Sequence, residues 1–517
     1  MRLLAIAALL LGGCGGDDDG GGGDGGGVID AAPGDQCGPS GGGPHWIMEG
    51  ETVSFDVVCA TELDLGAGGI ELADVPEGAD WDADAGHFEW TPGLDRAAVY
   101  HLALSAPEVG ETGEVVVGVA DALGVDGNQP IADPLTYTHE FGLPVLFLSP
   151  APTQEDPYQA TTIVYGGVTY EAEGKLRGAS SLGYPKKSYT LKFDGQKFSD
   201  PDADGGFVEK DRVVLTSTFD DNSYLRQWLA FELWSRLEPT IEVQAYAAVV
   251  YVDGAYFGLY TVTDHLDDEL MKAVGLSDSG NVYKAVNHDA NFRLTNANGD
   301  AKGTLHDGYE KKEGTPPEGE AGAFDDLEEL VDFVATADDG AFASGIGERI
   351  ELGDYEKWWI LATFTRADDS AGKNSYHYHD AVRTWRVAPW DFNASFGQAW
   401  TTHRVPAAPA DPYAGANRLF ERLLADDALG DAMRQRYRDA LDEGGPLEAG
   451  AVQALVDDMA AALGRSAARD WGVWQDEYEA FDRWNDRTDW TSVDEETDYV
   501  RTWVTGRAAA VDTLLGE

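Results

Sequence analysis

Two acidic clusters, separated by an aromatic stretch of strand length, hold the residues of this chain best suited to chemistry. The first reads Arg366-Ala-Asp-Asp369-Ser-Ala-Gly-Lys-Asn374 and runs into Tyr376-His-Tyr-His379. The second, after a turn, reads Trp385-Arg-Val-Ala-Pro-Trp-Asp391-Phe-Asn-Ala-Ser-Phe-Gly397. Phosphoryl transfer asks for few side chains: a carboxylate to orient or deprotonate a hydroxyl, and hard oxygen ligands for a Mg²⁺ that bridges phosphates. Asp369 followed by Asn374, and then Asp391 with Phe392, supply that set in that order. Alone, the Asp-x4-Asn pair also reads as a turn with a solvated carboxylate, since the chain is rich in Asp. The Trp, Tyr and Phe residues between the clusters favour the chemical reading.

The same spacing is that of a kinase catalytic loop, with Asp391-Phe392 where a kinase has its metal-binding Asp-Phe pair. Other parts of such a site are looked for upstream. Gly174-Lys-Leu-Arg177-Gly-Ala-Ser-Ser181-Leu-Gly183 is a Gly/Ser hairpin whose backbone N–H groups and hydroxyls could cradle phosphates. It lacks the Gly-x-Ser-x-Gly nucleophile pattern, so hydrolase chemistry gains nothing from it. Of the two lysines entering the next strand, alternation puts Lys187 on the face of Tyr189 and Leu191, and we expect its ammonium on the α- and β-phosphates. Asp200-Pro-Asp202-Ala-Asp204-Gly205, with Asp211 at position twelve, has the oxygen spacing that opens a Ca²⁺ loop, against an acidic hairpin tip as the other reading. His377 and His379 alternate on one strand without a third ligand nearby, which favours strand packing over a transition metal.

The elements that must position these residues follow from periodicity. Thr52–Val58, His87–Trp90, Val99–Leu104 and Glu114–Val119 alternate with period two between turn signals, as in a small all-β sandwich at 44–121. A Pro/Gly/Asp-rich linker at 122–142 leads to strands at Leu143–Leu148, Ile163–Tyr165, Val168–Tyr170, Ser188–Phe193 and Arg212–Leu215, and a hairpin at Val249–Val262 that feeds Asp264. A helix is expected from Ser223 to Leu237 with Ser223 as N-cap. Further helices are expected at Phe324–Phe333, Tyr355–Phe364, Leu419–Leu424, Met433–Leu441, Ala451–Leu463, Trp471–Trp484 and Thr497–Leu515. The polar stretch 287–320 reads as a surface insertion.

The 517 residues suffice for two or three domains, and a hydrophobic fraction of 43% makes the chain globular. Its formal charge of −57, from 93 Asp+Glu against 36 Lys+Arg, repels phosphate backbones and argues against nucleic acid as a partner. A basic protein partner is the easier expectation, and a general solubility or salt adaptation explains the acidity as well. Met1-Arg2 followed by Leu3–Leu11 and Leu11-Gly-Gly-Cys14 resembles a lipoprotein signal peptide at 1–14, with Cys14 as the lipidated residue. A Gly/Asp-rich tether at 15–43 follows. The expected location is a bacterial cell envelope, on the extracytoplasmic side of a membrane held through the lipid anchor. Cys37 and Cys59 are the two other cysteines, and in an exported protein they read as a disulfide.

Arg177-Gly-Ala-Ser-Ser181, Pro185–Phe193, Asp221-Asn-Ser-Tyr-Leu-Arg226, Val250–Tyr260 and Pro389-Trp-Asp391 together resemble the CotH kinase-like family, in order and spacing over 143–517. The stretch Gly86–Pro92 with Asp74–Gly78 resembles immunoglobulin-like repeats of bacterial surface proteins. These resemblances imply an α+β fold: an atypical protein-kinase-like domain with a mostly helical C-terminal part, preceded by an immunoglobulin-like sandwich. They imply transfer of the ATP γ-phosphoryl group to Ser or Thr of surface or secreted proteins, with Asp369 as base or orienter of the hydroxyl, Asn374 and Asp391 on Mg²⁺ or Mn²⁺, and Lys187, Arg177 and Ser181 on phosphates. Arg226 would hold a carboxylate of the core. Asp264 stands where the family has the glutamate that pairs with the phosphate-binding lysine, and Asn393 where it often has a second Asp. Both departures leave open the alternative, an inactive kinase-fold display or binding module.

Overall fold

The computed structural model describes residues 39–59, 69–107, 110–200 and 207–515, and the side chain of Cys59 is outside that description. Cys14, Cys37, Asp202 and Asp204 also lie outside the described residues. The chain divides into two compact units, 1–142 with 200–208, and 143–199 with 209–517.

The first unit is all β. Val53 and Phe55 are buried while Ser54 and Asp56 are exposed, the period-two pattern of a strand that packs on one face. That strand, β3 (Val53–Asp56), pairs with β7 (His87–Trp90), which pairs with β6 (Asp80–Asp82). A second sheet runs β2 (His45–Met48), β9 (Glu111–Ala120), β8 (Ala98–Ala106), β5 (Glu71–Leu72). Phe55, Phe88, Trp90, Leu102, Val115 and Val117 from the two sheets share one apolar core, which makes a sandwich. The short β1 (Pro39–Ser40) pairs with β4 (Val58–Cys59), with Pro39 opposite Cys59. The unit's last strand is β10 (His139–Glu140).

The second unit is α+β and holds two sheets. Strands β11 (Leu143–Ser149), β12 (Gln159–Tyr165), β13 (Val168–Arg177), β14 (Ser188–Lys192) and β15 (Arg212–Ser217) pair antiparallel in sequence order. Then β15 pairs with β17 (Ala255–Asp264), β17 with β16 (Ala245–Val252), and β16 closes the ring by pairing in parallel with β11. Closure leaves no edge among these seven strands. The other sheet runs β19 (Tyr309–Glu313), β18 (Asn281–Ala285), β20 (Ser375–His379), β21 (Arg386–Pro389), all antiparallel. The stretch read as a surface insertion therefore contributes β19 to a sheet.

Helices fill the rest: α1 (Arg226–Arg236), α2 (Asp268–Ala273), α3 (Asp325–Thr336), α4 (Asp339–Gly345), α5 (Leu352–Thr365), α6 (Arg418–Ala425), α7 (Asp427–Leu441), α8 (Ala449–Glu479) and α9 (Val493–Leu515). The first of these starts later than expected, with Leu225 and not Ser223 at its N-cap: the Ser223 hydroxyl accepts the Leu225 N–H at 3.3 Å, and the Asp221 carboxylate accepts the N–H of Arg226 at 2.9 Å and that of Ser223 at 3.0 Å. The expected helices at 451–463 and 471–484 join into α8, bent at Gly464, whose φ of 35° is left-handed. Both α1 and α8 pack against the ring, and α5 packs against β21.

Candidate functional site

Sheet register builds the site. Ala285, Ser375 and Pro389 form one row across β18, β20 and β21, at the C-terminal end of β18, the N-terminal end of β20 and the C-terminal end of β21. One residue beyond that row, the Asn374 N–H donates to the Ala285 carbonyl at 2.9 Å and the Trp390 N–H donates to the Asn374 carbonyl at 2.7 Å. Asn374 and Asp391 thus leave the sheet side by side, both with left-handed backbone, φ 57° and 65°. Such conformations cost a non-glycine residue free energy and persist where the surroundings over-determine them. Ser370 helps here: its hydroxyl donates to the carbonyls of Trp390 at 3.1 Å and Asp391 at 3.2 Å, clamping the Asp369 turn to the Asp391 loop.

Asp369 lies on a single 3₁₀ turn, Asp368–Ser370, just after α5 ends at Arg366 with φ 53°. Its carboxylate accepts from the Lys373 ammonium at 2.8 Å and faces His288 Nε2 at 3.5 Å. Burial works to raise its pKa, but the bonds from His288 and Lys373 outweigh it and hold the group below the usual carboxylate range. Asp391 differs: burial pushes it up, opposed by Arg177 and Lys284, and the charge of Asp369 adds repulsion. Asp220, buried, donates nothing and accepts from the Tyr184 hydroxyl at 3.0 Å and the Asn393 amide at 2.5 Å. Burial, with repulsion from Asp391 and Asp221, pushes it to about 6.

Two cations reach this end of the sheet from different elements. Arg177, the last residue of β13, stacks its guanidinium over the Trp390 ring at 5.4 Å, and its Nη1 is buried with no hydrogen-bond partner. Lys284, opposite Tyr376 in the β18–β20 register, lies 5.7 Å from the Tyr376 ring centroid. Burial, then the charge of Arg177, bring its ammonium down to about 8.

The hairpin residues are tied differently. A Cβ at Gly178, φ 122°, would fall 2.0 Å from Ser181 Oγ, so glycine is what lets that hydroxyl fold back over the backbone. Lys187 donates to the Leu182 carbonyl at 2.7 Å. The lysine that points into the interior is Lys186, contrary to the alternation reading. Its ammonium meets Asp470 at 2.5 Å and Thr218 Oγ1 at 3.3 Å, and the same carboxylate accepts the Leu259 N–H at 2.5 Å. Asp470 is far off in the sequence, on α8, so nothing local marks Lys186 as the buried one. Gly258 makes room, since a Cβ there would lie 1.9 Å from Asp470 Oδ2. The expected Lys187–Asp264 pairing is not made: Asp264 binds Lys210 at 2.6 Å and accepts the Gln244 N–H at 2.8 Å.

Arg226 does hold core carboxylates. Fully buried, it donates to Asp221 and to Glu496 at 2.5 Å each, and to the Ser395 carbonyl at 3.1 Å, four residues past Asp391. His377 is buried in packing, with Tyr355 OH and Ser375 Oγ each 3.1 Å from a ring nitrogen, and His379 stacks on Trp385 at 4.4 Å and pairs with Asp326 at 2.8 Å. Of the Ca²⁺-loop residues, Asp211 is bound to Lys197 at 3.1 Å, and Phe198 bridges Lys210 as the base of a hairpin.

Among the described residues no three His, Cys, Asp or Glu side chains gather as a metal cage. Asn374 and Asp391 fit a smaller task, a hard cation that keeps water and phosphate oxygens for its other positions, as Mg²⁺ does. Residues absent from the sequence reading of the site are Lys284, Lys373, His288 and Asp220. The one local signal for Lys284 was a lysine inside an otherwise strand-forming run, Asn281-Val-Tyr-Lys-Ala285.

An α+β unit thus brings Asp, Asn, Arg and Lys to one sheet end beside the Tyr376 and Trp390 rings. Among known proteins, the family described as CotH kinase protein matches residues 175–511. That span is well over half of the chain, and the chain belongs to this family. It is also 27% identical over 271 residues, 52% of this chain and 69% of the relative, to the inner spore coat protein H of Bacillus subtilis (strain 168).

Proposed function

We propose that the second unit is an atypical protein kinase that transfers the ATP γ-phosphoryl group to Ser or Thr of a surface or secreted protein. The carrying observation is that Asp369, Asn374 and Asp391, from two separate stretches, meet at one end of one sheet beside the unpartnered Arg177 guanidinium. In this reading Asp369, kept ionised by Lys373 and His288, accepts the hydroxyl proton. Asn374 and Asp391 hold Mg²⁺ or Mn²⁺, which supplies charge neutralisation between the phosphates. Arg177 offers a fork of donors to phosphate oxygens, and the Gly178–Ser181 turn offers backbone N–H groups and a hydroxyl. The family description supports the kinase reading, and the relative's name supports a surface setting.

Around that core stand the immunoglobulin-like reading of the sandwich as a stalk, the Cys37–Cys59 disulfide, the Ca²⁺ loop, and export with a lipid anchor at Cys14. Pairing of Pro39, two residues past Cys37, with Cys59 supports the disulfide. No described helix is long and apolar enough to cross a membrane.

The second reading, a display module without catalysis, draws on Asn393: its amide is spent on Asp220, where a second aspartate would have offered the metal another charge. Incubating the purified full chain with labelled ATP and Mn²⁺ or Mg²⁺ tests the choice. Label on the protein or on an added basic Ser/Thr-rich protein is expected, and its absence with both metals favours display.

A further inference from the structure

The cations around the Asp391 loop and the Gly178 hairpin are sorted by their partners. Lys186 is closed off with Asp470, Lys187 is bound to the Leu182 carbonyl, and Lys373 is bound to Asp369. Arg177 and Lys284 are left over. Arg177 Nη1 is buried without a hydrogen-bond partner, and Lys284 makes no ion pair with any described carboxylate; its ammonium lies 5.7 Å from the Tyr376 ring centroid, and the one carboxylate that acts on both cations, Asp391, closes no salt bridge with either. Partly burying a charge without a partner costs free energy, so two such groups on rigid strands mark a place where an anion from outside completes the pairing.

We propose that Lys284 and Arg177, beside the Tyr376 and Trp390 rings, are the phosphate-binding pair of this site and take the polyphosphate tail of a nucleotide, the role that the sequence assigned to Lys187. The assignment rests on the phosphoryl-transfer reading. Tyr376 and Trp390 meet edge to face at 5.9 Å, so the two cations lie against adjoining aromatic rings. Arg177 brings a planar fork that can bind two oxygens, and Lys284 a compact charge, a division of labour suited to successive phosphates. Both are fixed by strand positions, Arg177 at the end of β13 and Lys284 one residue in from the end of β18.

The groups facing Lys284 are Arg177 from β13, Asp391 past β21, Lys312 and Glu310 from β19, and Tyr376 on β20. An ammonium held at about 8 is a reactive amine under mildly alkaline conditions, and a bound anion would restore its proton and shield it. That property gives a test on the unaltered full chain. Limiting acetic anhydride at about pH 8, read by peptide mass spectrometry, should modify Lys284, and either inorganic tripolyphosphate or Mg·ATP should protect it by roughly tenfold. Calorimetric titration of Mg·ATP should show Lys284→Met weakened by about tenfold or more, with most of the affinity restored in Lys284→Arg. A larger loss in Lys187→Met than in Lys284→Met overturns the assignment and leaves the kinase reading intact. Protection by tripolyphosphate in a chain that does not bind Mg·ATP supports the anion pair and removes the kinase reading. No protection of Lys284 by either probe overturns the pair, and this result decides the matter should Lys284→Met fail to fold.

Discussion

Two charged regions of the second unit, joined where Arg226 holds the Ser395 carbonyl four residues past Asp391, are built on opposite principles. Around Arg226 every charge is answered: its three nitrogens meet Asp221, Glu496 and the Ser395 carbonyl, and Glu496 is answered again by Arg404 and by Thr491 Oγ1 at 2.6 Å. Burial opposes the ionised Glu496, but Arg226 and Arg404 win and bring it to about 2. At the Asp391 loop the charges are left open: Arg177 and Lys284 feel the Asp391 charge but close no salt bridge with it, Asp391 is raised by burial, and the backbone is left-handed at Asn374 and Asp391. Breaking a closed buried network leaves a charge unpaired at large cost, whereas an open one already carries a desolvation cost that a ligand would offset.

The largest expected effect lies on the open side. Asp369→Asn keeps shape but removes the proton acceptor, and should cut phosphoryl transfer by about 10²- to 10⁴-fold while Mg·ATP still binds. Asp391→Asn should weaken metal-dependent nucleotide binding along with turnover, because a charged oxygen ligand is lost. Asp391→Asn should hold or raise the melting temperature, since its raised pKa marks an ionised form that burial disfavours, whereas Asp369→Asn should lower it modestly, since Lys373 and His288 favour the ionised Asp369. Wild-type transfer in Asp369→Asn, or a large stability loss in either variant, would break the division between the two regions.

The closed side should respond the other way. Arg226→Met leaves Asp221 buried without its cation and Glu496 with Arg404 as its remaining one, and removing one partner of a buried pair typically costs about 3–5 kcal/mol. Denaturant titration should show that loss. Transfer activity at a temperature where the variant stays folded should fall far less than in Asp369→Asn, although Arg226 also holds the Ser395 carbonyl near the Asp391 loop. A stable variant with abolished transfer would show that Arg226 serves the site more than the fold.

Local pattern made much of this legible. Period-two alternation located β3, β7 and β8, apolar periodicity located α5, α7 and α9, and the Asp369, Asn374, Asp391 spacing found three residues that the sheet register does bring together. The misses share a cause, which is that the deciding partner is distant in sequence. Lys186 and Lys187 are neighbours, and only Asp470 on α8, with room made by Gly258, says which is buried. Lys284 joins the site only because β18 pairs with β20 across an intervening insertion. Asp264 looked free for Lys187 until Lys210 claimed it.

The smallest effect sharpens the comparison on a single strand. His377 is two residues from Ser375, so it borders the open region, yet both ring nitrogens are matched and the residue is fully buried. Burial brings its pKa down to about 3, whereas an unfolded histidine titrates near 6.5. Below about pH 6.5 the unfolded state takes up a proton that the folded state refuses, so this contribution to stability is complete above that pH and is lost as pH falls toward 3. Between pH 7 and pH 5 the loss should be roughly 2 kcal/mol, at about 1.4 kcal/mol per pH unit below 6.5. Asp220, raised to about 6, acts in the opposite direction over the same range, and Glu496 begins to matter only below about pH 4.5. Comparing denaturant midpoints of the wild type and His377→Gln at both pH values cancels what the two share. The wild type should lose more on acidification by that amount, and equal losses would show that His377 can be protonated in place, making the strand beside Asn374 part of the open region.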